Sequence, residues 1–200
     1  MEANLLEKID LSDIYNDKSR KPNELYVSIL TFCPRKEVLS YYFKPAQYVK
    51  SDEILAGEYL HKVIQEQLKQ QGYEVEKGVS YELKDDFKLV GRIDAVNSDH
   101  IIEIKTVKKF IDFNVNYWFT QVNMYMHMSG VRKAKLLVVE RPTGQMFMKE
   151  IDYDKEKAEG VLSLAEQVID AIKNADFTII PRCNDYRCKY CEFNIICKKV

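Results

Sequence analysis

The sequence is poor in the residues that interrupt folds, with seven glycines and five prolines in 200 residues. It has no repeat, no low-complexity tract and no Gly/Pro/Ser linker. Nothing divides it, so a single domain over 1–200 is predicted, within the usual ~50–250 residues. No apolar run approaches the ~18–20 residues of a bilayer span, which predicts no membrane partner. The opening stretch MEANLLEKIDLSDIYNDK is too acidic, and its apolar run too short, for a secretory leader. These absences together predict a soluble, cytoplasmic protein. An excess of one charge is lacking as well: 30 basic and 31 acidic residues give a net charge of −1. No strong overall field points at a polyanion, so contact with nucleic acid would need a local groove.

What is present reads as a globular chain, 46% hydrophobic and 30% charged. A first helix is predicted over 28–43, with Ser28 as N-cap and Pro34 opening a second turn. A second runs over 52–71 and is closed by Gly72. Strands are expected at 74–83, 87–97 and 100–107, then a helix over 113–129 ended by Gly130. Strands at 134–140 and 145–153 flank a turn at Pro142–Gly144, and a helix over 154–175 leads into a tail. This order predicts an α+β domain on a small mixed sheet flanked by helices.

The segment KLVGRIDAVNSDHIIEIKTV reads as two alternating strands joined by turn residues Asn97 to His100. A loop centred on Ser98 and Asp99 sets Asp94 opposite Glu103 and Arg92 opposite Lys105. Opposed residues lie only about 4.5–5.5 Å apart at Cβ, and like charges there destabilise a sheet. A cation between the carboxylates removes that penalty, and hard ions such as Mg²⁺ or Mn²⁺ take oxygen ligands of this kind. Lys105 could then orient a water or stabilise developing charge. The alternative is a solvated sheet face whose carboxylates pair with Arg92 or Lys105.

His61 lies one turn after Gly57 and one turn before Gln65, on a stripe apart from Leu60, Ile64 and Leu68. The glycine leaves room for something to approach. Gln121 and Tyr125 share a helix face one turn apart, extended by Tyr117, while Trp118, Val122 and Met126 form an apolar one. Four of five cysteines, Cys183, Cys188, Cys191 and Cys197, fall in the last eighteen residues, and the fifth is Cys33. An odd count at short spacing argues for a metal site over a disulfide framework. The trio at 188, 191 and 197 is one thiolate short of a closed set, which either Cys183 or Cys33 could complete.

The order of these parts, Cys33 in FCPRK, Gly57-x3-His61, GRID ending at Asp94, Glu103-Ile104-Lys105, Gln121-x3-Tyr125 and C-x2-C-x5-C, resembles the RecB-like nucleases of the PD-(D/E)xK superfamily. It is most similar to the four-cysteine CRISPR-associated exonucleases (Cas protein number four) and their virus-encoded relatives. The likeness spans about residues 26–198, with Ile93 where proline is common before the aspartate. It implies an α/β restriction-endonuclease-like core, divided into an N-terminal helical region (26–50), a nuclease core (52–153) and a C-terminal helix and tail (154–200) closing on the N-terminal region.

The implied activity is metal-dependent DNA exonuclease action, chiefly on single-stranded ends. The resemblance also implies that His61, Asp94, Glu103 and the Ile104 carbonyl hold Mg²⁺ or Mn²⁺, that Lys105 is catalytic, and that Gln121 and Tyr125 lie close to the DNA. Cys33, Cys188, Cys191 and Cys197 would hold a structural iron–sulfur cluster, 4Fe–4S ahead of 2Fe–2S. Its partners would be DNA, the CRISPR adaptation integrase and a second copy of the chain, in a cell's or a virus host's cytoplasm. Two other classes remain open at this point. One is a DNA-end-binding or integrase-partner subunit with secondary nuclease activity, and the other is a zinc-stapled nucleic-acid binder.

Overall fold

The computed structural model describes residues 21–43, 51–110, 115–183, 188–189 and 191–199. Strand β1 (Glu24–Tyr26) runs directly into helix α1 (Val27–Phe32), followed by α2 (Pro34–Tyr42) and α3 (Asp52–Gln70). Strands β2 (Glu74–Glu82), β3 (Lys88–Val96) and β4 (Ile101–Val107) form the meander. Helix α4 (Asn116–Ser129), strands β5 (Lys133–Glu140) and β6 (Met146–Asp152), helix α5 (Lys155–Asn174) and the short α6 (Asn194–Cys197) complete the chain.

Two expectations at the N-terminus are corrected. The single helix over 28–43 is two helices, because Cys33 is extended, with φ −157° and ψ 97°. A residue before proline is pushed out of the α region, so Pro34 ends one helix as it opens the next. Ser28 lies inside α1 and is exposed; the N-cap position falls on Tyr26. Residues 44–50 of the expected N-terminal region and 113–114 of the expected helix lie outside the described residues.

The six strands form one mixed sheet. β2 pairs antiparallel with β3 from Glu74↔Val96 to Glu82↔Lys88, interrupted only at the Glu76–Asp94 position. β3's opposite edge is shared: β1 pairs parallel with residues 88–90, and β4 pairs antiparallel at Ala95↔Ile102 and Val96↔Ile101. Between these contacts, residues 91–94 have no strand beside them on that edge among the described residues. β4 continues into a seven-pair parallel ladder with β5, and β6 closes the sheet antiparallel to β5.

Helices cover both faces. Ile64 of α3 packs with Ala95, Ile102, Ile104, Leu137 and Val139. Val122 and Met126 of α4 and Val161, Val168 and Ile169 of α5 pack with Leu25, Leu89, Ile93 and Ile101 in the larger core. The two sheet faces exchange partway along β2 and β3. Val75 and Ala95 pack toward α3, whereas Val79 and Ile93, of the same parity, belong to the larger core. Glu76 marks the exchange with a left-handed φ of 55°. The tail lies against the N-terminal helices: buried Arg35 donates to the carbonyls of Phe177 and Ile180, and Lys36 pairs with Glu192 at 2.8 Å.

Candidate active site

The turn that sets the carboxylates is built as its sequence suggests. Asn97 Oδ1 accepts from the amides of Asp99 and His100, each at 2.9 Å, an Asx turn. The resulting register places Asp94 across from Glu103, yet the ladder stops one pair short of them. The Ile104 amide donates to Asp94 Oδ2 at 2.7 Å, so a side chain stands where the neighbouring strand's carbonyl would be. Because a strand residue's N–H and C=O point to one edge, the Ile104 carbonyl faces the same gap. The expected pairing of Arg92 with Lys105 does not occur; Arg92 Nε instead meets Glu76 Oε2 at 2.5 Å. The strands have parted before they reach it.

Glu103 is buried at 3% exposure. Its Oε1 accepts from Lys105 Nζ at 2.7 Å and from Gln121 Nε2 at 3.0 Å. Its Oε2 is buried with no hydrogen-bond partner among the described residues. Burial pushes both carboxyls up, Asp94 to about 6 and Glu103 to about 7, with Lys105 opposing the shift at each. A buried, unsatisfied acceptor costs about 1–3 kcal/mol. Two desolvated carboxyls whose ionised forms are disfavoured by burial, one with an idle oxygen, suit a divalent cation between them.

His61 approaches from α3, its Nδ1 3.8 Å from Asp94 Oδ1, and burial lowers its pKa. The imidazole is thus neutral near pH 7, the form that ligates metals. Among the described residues no three His, Cys, Asp or Glu side chains already stand as a metal-ion group. The fit rests on the two carboxylates, the idle Oε2 and the inward carbonyl. The space expected beside Gly57 is filled: a Cβ there would lie 2.8 Å from Thr106 Oγ1. The glycine lets α3 close on β4 and so brings His61 to Asp94.

Gln121 and Tyr125 sit behind the carboxylates and are buried. The Gln121 amide is spent on Glu103, on Lys105 Nζ at 3.0 Å and on Tyr125 Oη at 3.0 Å. This orients Glu103 and Lys105, while burial raises the Tyr125 pKa and keeps its hydroxyl protonated. Tyr117 lies apart from them, edge-on to Phe32. Sequence reasoning gave no role to Glu76, which accepts from Gln65 Nε2. Gln65 also lies 3.5 Å from Asp94 Oδ1; its place one turn after His61 was the available signal.

The five cysteines are free thiols. Cys33 Sγ is 3.4 Å from Cys183 Sγ, which is 3.1 Å from Cys188 Sγ. The N-terminal and tail thiols therefore meet, with Cys183 between them. Burial raises the pKa of Cys183 and of Cys191. No helix among the described residues is long and apolar enough to cross a membrane.

A mixed sheet with helices on both faces and an Asp…Glu-x-Lys set at a parted strand pair defines a nuclease core of the restriction-endonuclease kind. The sequence pattern of the PD-(D/E)XK nuclease superfamily matches residues 11–198, and the chain belongs to that superfamily. Solved structures agree on the fold. The crystal structure of SSO0001 superposes with a TM-score of 0.72 at 23% identity, covering 92% of this chain and 91% of that one. A putative exonuclease from Eubacterium rectale gives 0.58 at 13% identity over 90% and 92%. The alkaline exonuclease LHK-Exo from Laribacter hongkongensis gives 0.54 at 13% over 78% and 93%. No curated protein matches the sequence.

Proposed function

We propose that this chain is a divalent-metal-dependent DNA exonuclease that hydrolyses phosphodiester bonds, with single-stranded ends as its preferred substrate. The observation that carries the reading is the buried Glu103 Oε2, without a partner among the described residues, beside Asp94 in a gap of the sheet. Asp94, Glu103, the Ile104 carbonyl and His61 would hold Mg²⁺ or Mn²⁺. Bound there, the ion supplies Lewis acidity to a phosphoryl oxygen and a more acidic water. Lys105 contributes the positive charge of this chain itself. Two of its three ammonium donors are engaged by Glu103 and Gln121, leaving one for a phosphate oxygen or an attacking water. Gln121 and Tyr125 hold Glu103 and Lys105 in place.

A structural iron–sulfur cluster on Cys33, Cys188, Cys191 and Cys197 belongs to the same reading. Its support is that Cys33 reaches the tail at Cys183, itself beside Cys188, which keeps Cys183 as the rival fourth ligand, and that thiolates are the usual ligands of such clusters. Exonuclease names among proteins of like fold support end-directed cleavage. Trimming DNA ends in the cytoplasm suits CRISPR spacer acquisition beside its integrase, or viral DNA processing.

The test incubates end-labelled single- and double-stranded DNA with Mg²⁺ or Mn²⁺, beside Lys105→Ala. The expected result is metal-dependent shortening, faster on single strands and lost in the variant. Equal shortening by the variant, or none by the native protein, would sink the assignment. Iron content and visible absorbance of anaerobically purified protein test the cluster separately, and a colourless, zinc-loaded protein would overturn it.

A further inference from the structure

Glu76 and Arg92 lie beside the carboxylate pair without belonging to it. Glu76 adopts the left-handed region, φ 55°, which crowds any residue carrying a Cβ. The β2–β3 register sets it across from Asp94. Its carboxylate is held from both sides, by Gln65 and by Arg92 Nε at 2.5 Å. The Arg92 side chain is 58% exposed and that of Glu76 38%, and exposed pairs of this kind add little stability.

Arg92 is nonetheless held firmly in place. Its amide faces the buried Tyr125 hydroxyl. Gly91 beneath that ring has no alternative, since a Cβ there would lie 2.5 Å from Tyr125 Cε1. The backbone is thus fixed by α4 and the side chain by Glu76, about 6.8 Å of strand from Asp94. The contact to Glu76 is made at Nε, and the side chain as a whole is 58% exposed, so the guanidinium stays open to solvent. The guanidinium charge reaches Asp94, where it favours the ionised form.

A polyanion entering this mouth meets Glu76, Asp94 and Glu103, while Lys105 is largely occupied by Glu103 and Gln121. An exposed planar guanidinium matches two phosphate oxygens at once. Resting on the nuclease reading above, we propose that Arg92 binds the DNA backbone phosphate next to the scissile one, with Glu76 as the positioning residue that aims it. Gln65 links Glu76 to Asp94, so phosphate grip and carboxylate placement share one scaffold.

The test measures binding of a labelled single-stranded oligonucleotide by anisotropy in EDTA, across a salt series, and cleavage separately with Mn²⁺. Arg92→Ala is expected to raise Kd about tenfold and to flatten the log–log salt slope by about 0.7, one phosphate contact on a single strand. In cleavage, KM should rise far more than kcat falls. Arg92→Lys should restore the slope but not the full affinity, because the ammonium cannot make the paired contact. Glu76→Gln should keep the slope and lose part of the affinity.

Native Kd and slope in Arg92→Ala would overturn the proposal. So would a fall in kcat at unchanged Kd, which would place Arg92's effect on Asp94 instead. If circular dichroism shows Arg92→Ala misfolded, Arg92→Gln carries the same comparison. Binding in EDTA is independent of chemistry. Native protein that binds as described but cleaves nothing with Mg²⁺ or Mn²⁺ would remove the nuclease reading and leave the phosphate contact standing.

Discussion

The two edges of β4 are built in opposite ways. Toward β5 it pairs at every residue from Ile101 to Val107, and Ile104 and Leu137 fill the core beneath α3. Toward β3 it pairs at Ile101 and Ile102 only, and beyond them Asp94, Glu103 and the Ile104 backbone occupy the opening. One edge spends its backbone groups on the sheet and its side chains on packing. The other leaves a desolvated gap whose carboxyls have too few protein partners. The stability of this fold therefore lies on the β5 side of the strand and its chemistry on the β3 side, a few ångströms apart.

The largest effects should separate along that line. Glu103→Ala removes a cation ligand and should lower cleavage by roughly 10³-fold or more. It removes the partnerless Oε2 together with the Oε1 that accepts from Lys105 and Gln121; these changes oppose one another, so the protein should stay folded with a melting temperature near the native one. Leu137→Ala on the other edge opens a cavity and should cost about 2–5 kcal/mol of stability, while the folded fraction cleaves at the native rate. Activity assays and denaturant melts of the two variants check this. A Glu103→Ala protein that unfolds, or a folded Leu137→Ala protein that is inactive, would break the division between the edges.

Lys105 stands on the gap side and should follow it at smaller size. Lys105→Ala should lower kcat by about 10²–10³-fold, the usual cost of one charge-stabilising donor. Mn²⁺ affinity should persist, because the ligand oxygens remain. Calorimetric titration with Mn²⁺ beside the rate measurement distinguishes this from loss of the ion.

The gap should also show in pH dependence. The folded-state pKa values of Asp94 and Glu103 are raised by burial, to about 6 and about 7, above the ~4 of exposed carboxyls. Between those values the folded protein binds more protons than the unfolded chain. Stability without divalent ions is therefore fully present below about pH 4 as far as these two groups are concerned, and is lost as pH rises through about 6 to 7. Melting temperatures from pH 5 to 8 in EDTA should fall, Glu103→Gln should flatten much of the fall, and Mn²⁺ should reverse it. A native profile that rises across this window would contradict the desolvated pair.

The same contrast explains what the sequence revealed. Alternation and the Asn97–His100 turn disclosed β3, β4 and their register, because local chemistry sets them. The sum that pairs Ala95 with Ile102 also pairs Asp94 with Glu103, so the site could be read from one hairpin. The parting of the strands could not: β1 takes residues 88–90 of the same edge of β3, and its three residues are too few to show alternation. Arg92 was misplaced for that reason: a ladder continued on paper ends in space at Asp94. The exchange of faces at Glu76 left no pattern, because nothing in a glutamate announces a left-handed φ. Gly57 was visible as a gap in a helix, but that Thr106 fills the gap requires the tertiary packing of α3 on β4.

His61 is the point at which the gap and the packed core overlap, and its removal should have the smallest effect. It rides on α3, whose Ile64 belongs to the core beneath β4 and β5, yet its ring faces the opening. At 3.8 Å from Asp94 Oδ1 it makes no short hydrogen bond, and it is neutral near pH 7 because burial lowers its pKa. Removing a neutral ring at that distance exposes Asp94 to water without cancelling a charge. His61→Ala should therefore weaken Mn²⁺ binding by at least the ~10-fold that loss of even an outer partner costs at a metal site, since one neutral ligand goes while both carboxylates stay. Saturating Mn²⁺ should then recover much of the rate, which it cannot do for Glu103→Ala. His61→Gln, which offers a neutral oxygen acceptor from the same helix position, should fall between Ala and the native protein. If excess Mn²⁺ fails to recover His61→Ala while its melt is unchanged, the ring acts on the substrate, and His61 moves from the metal side of the gap to the DNA side.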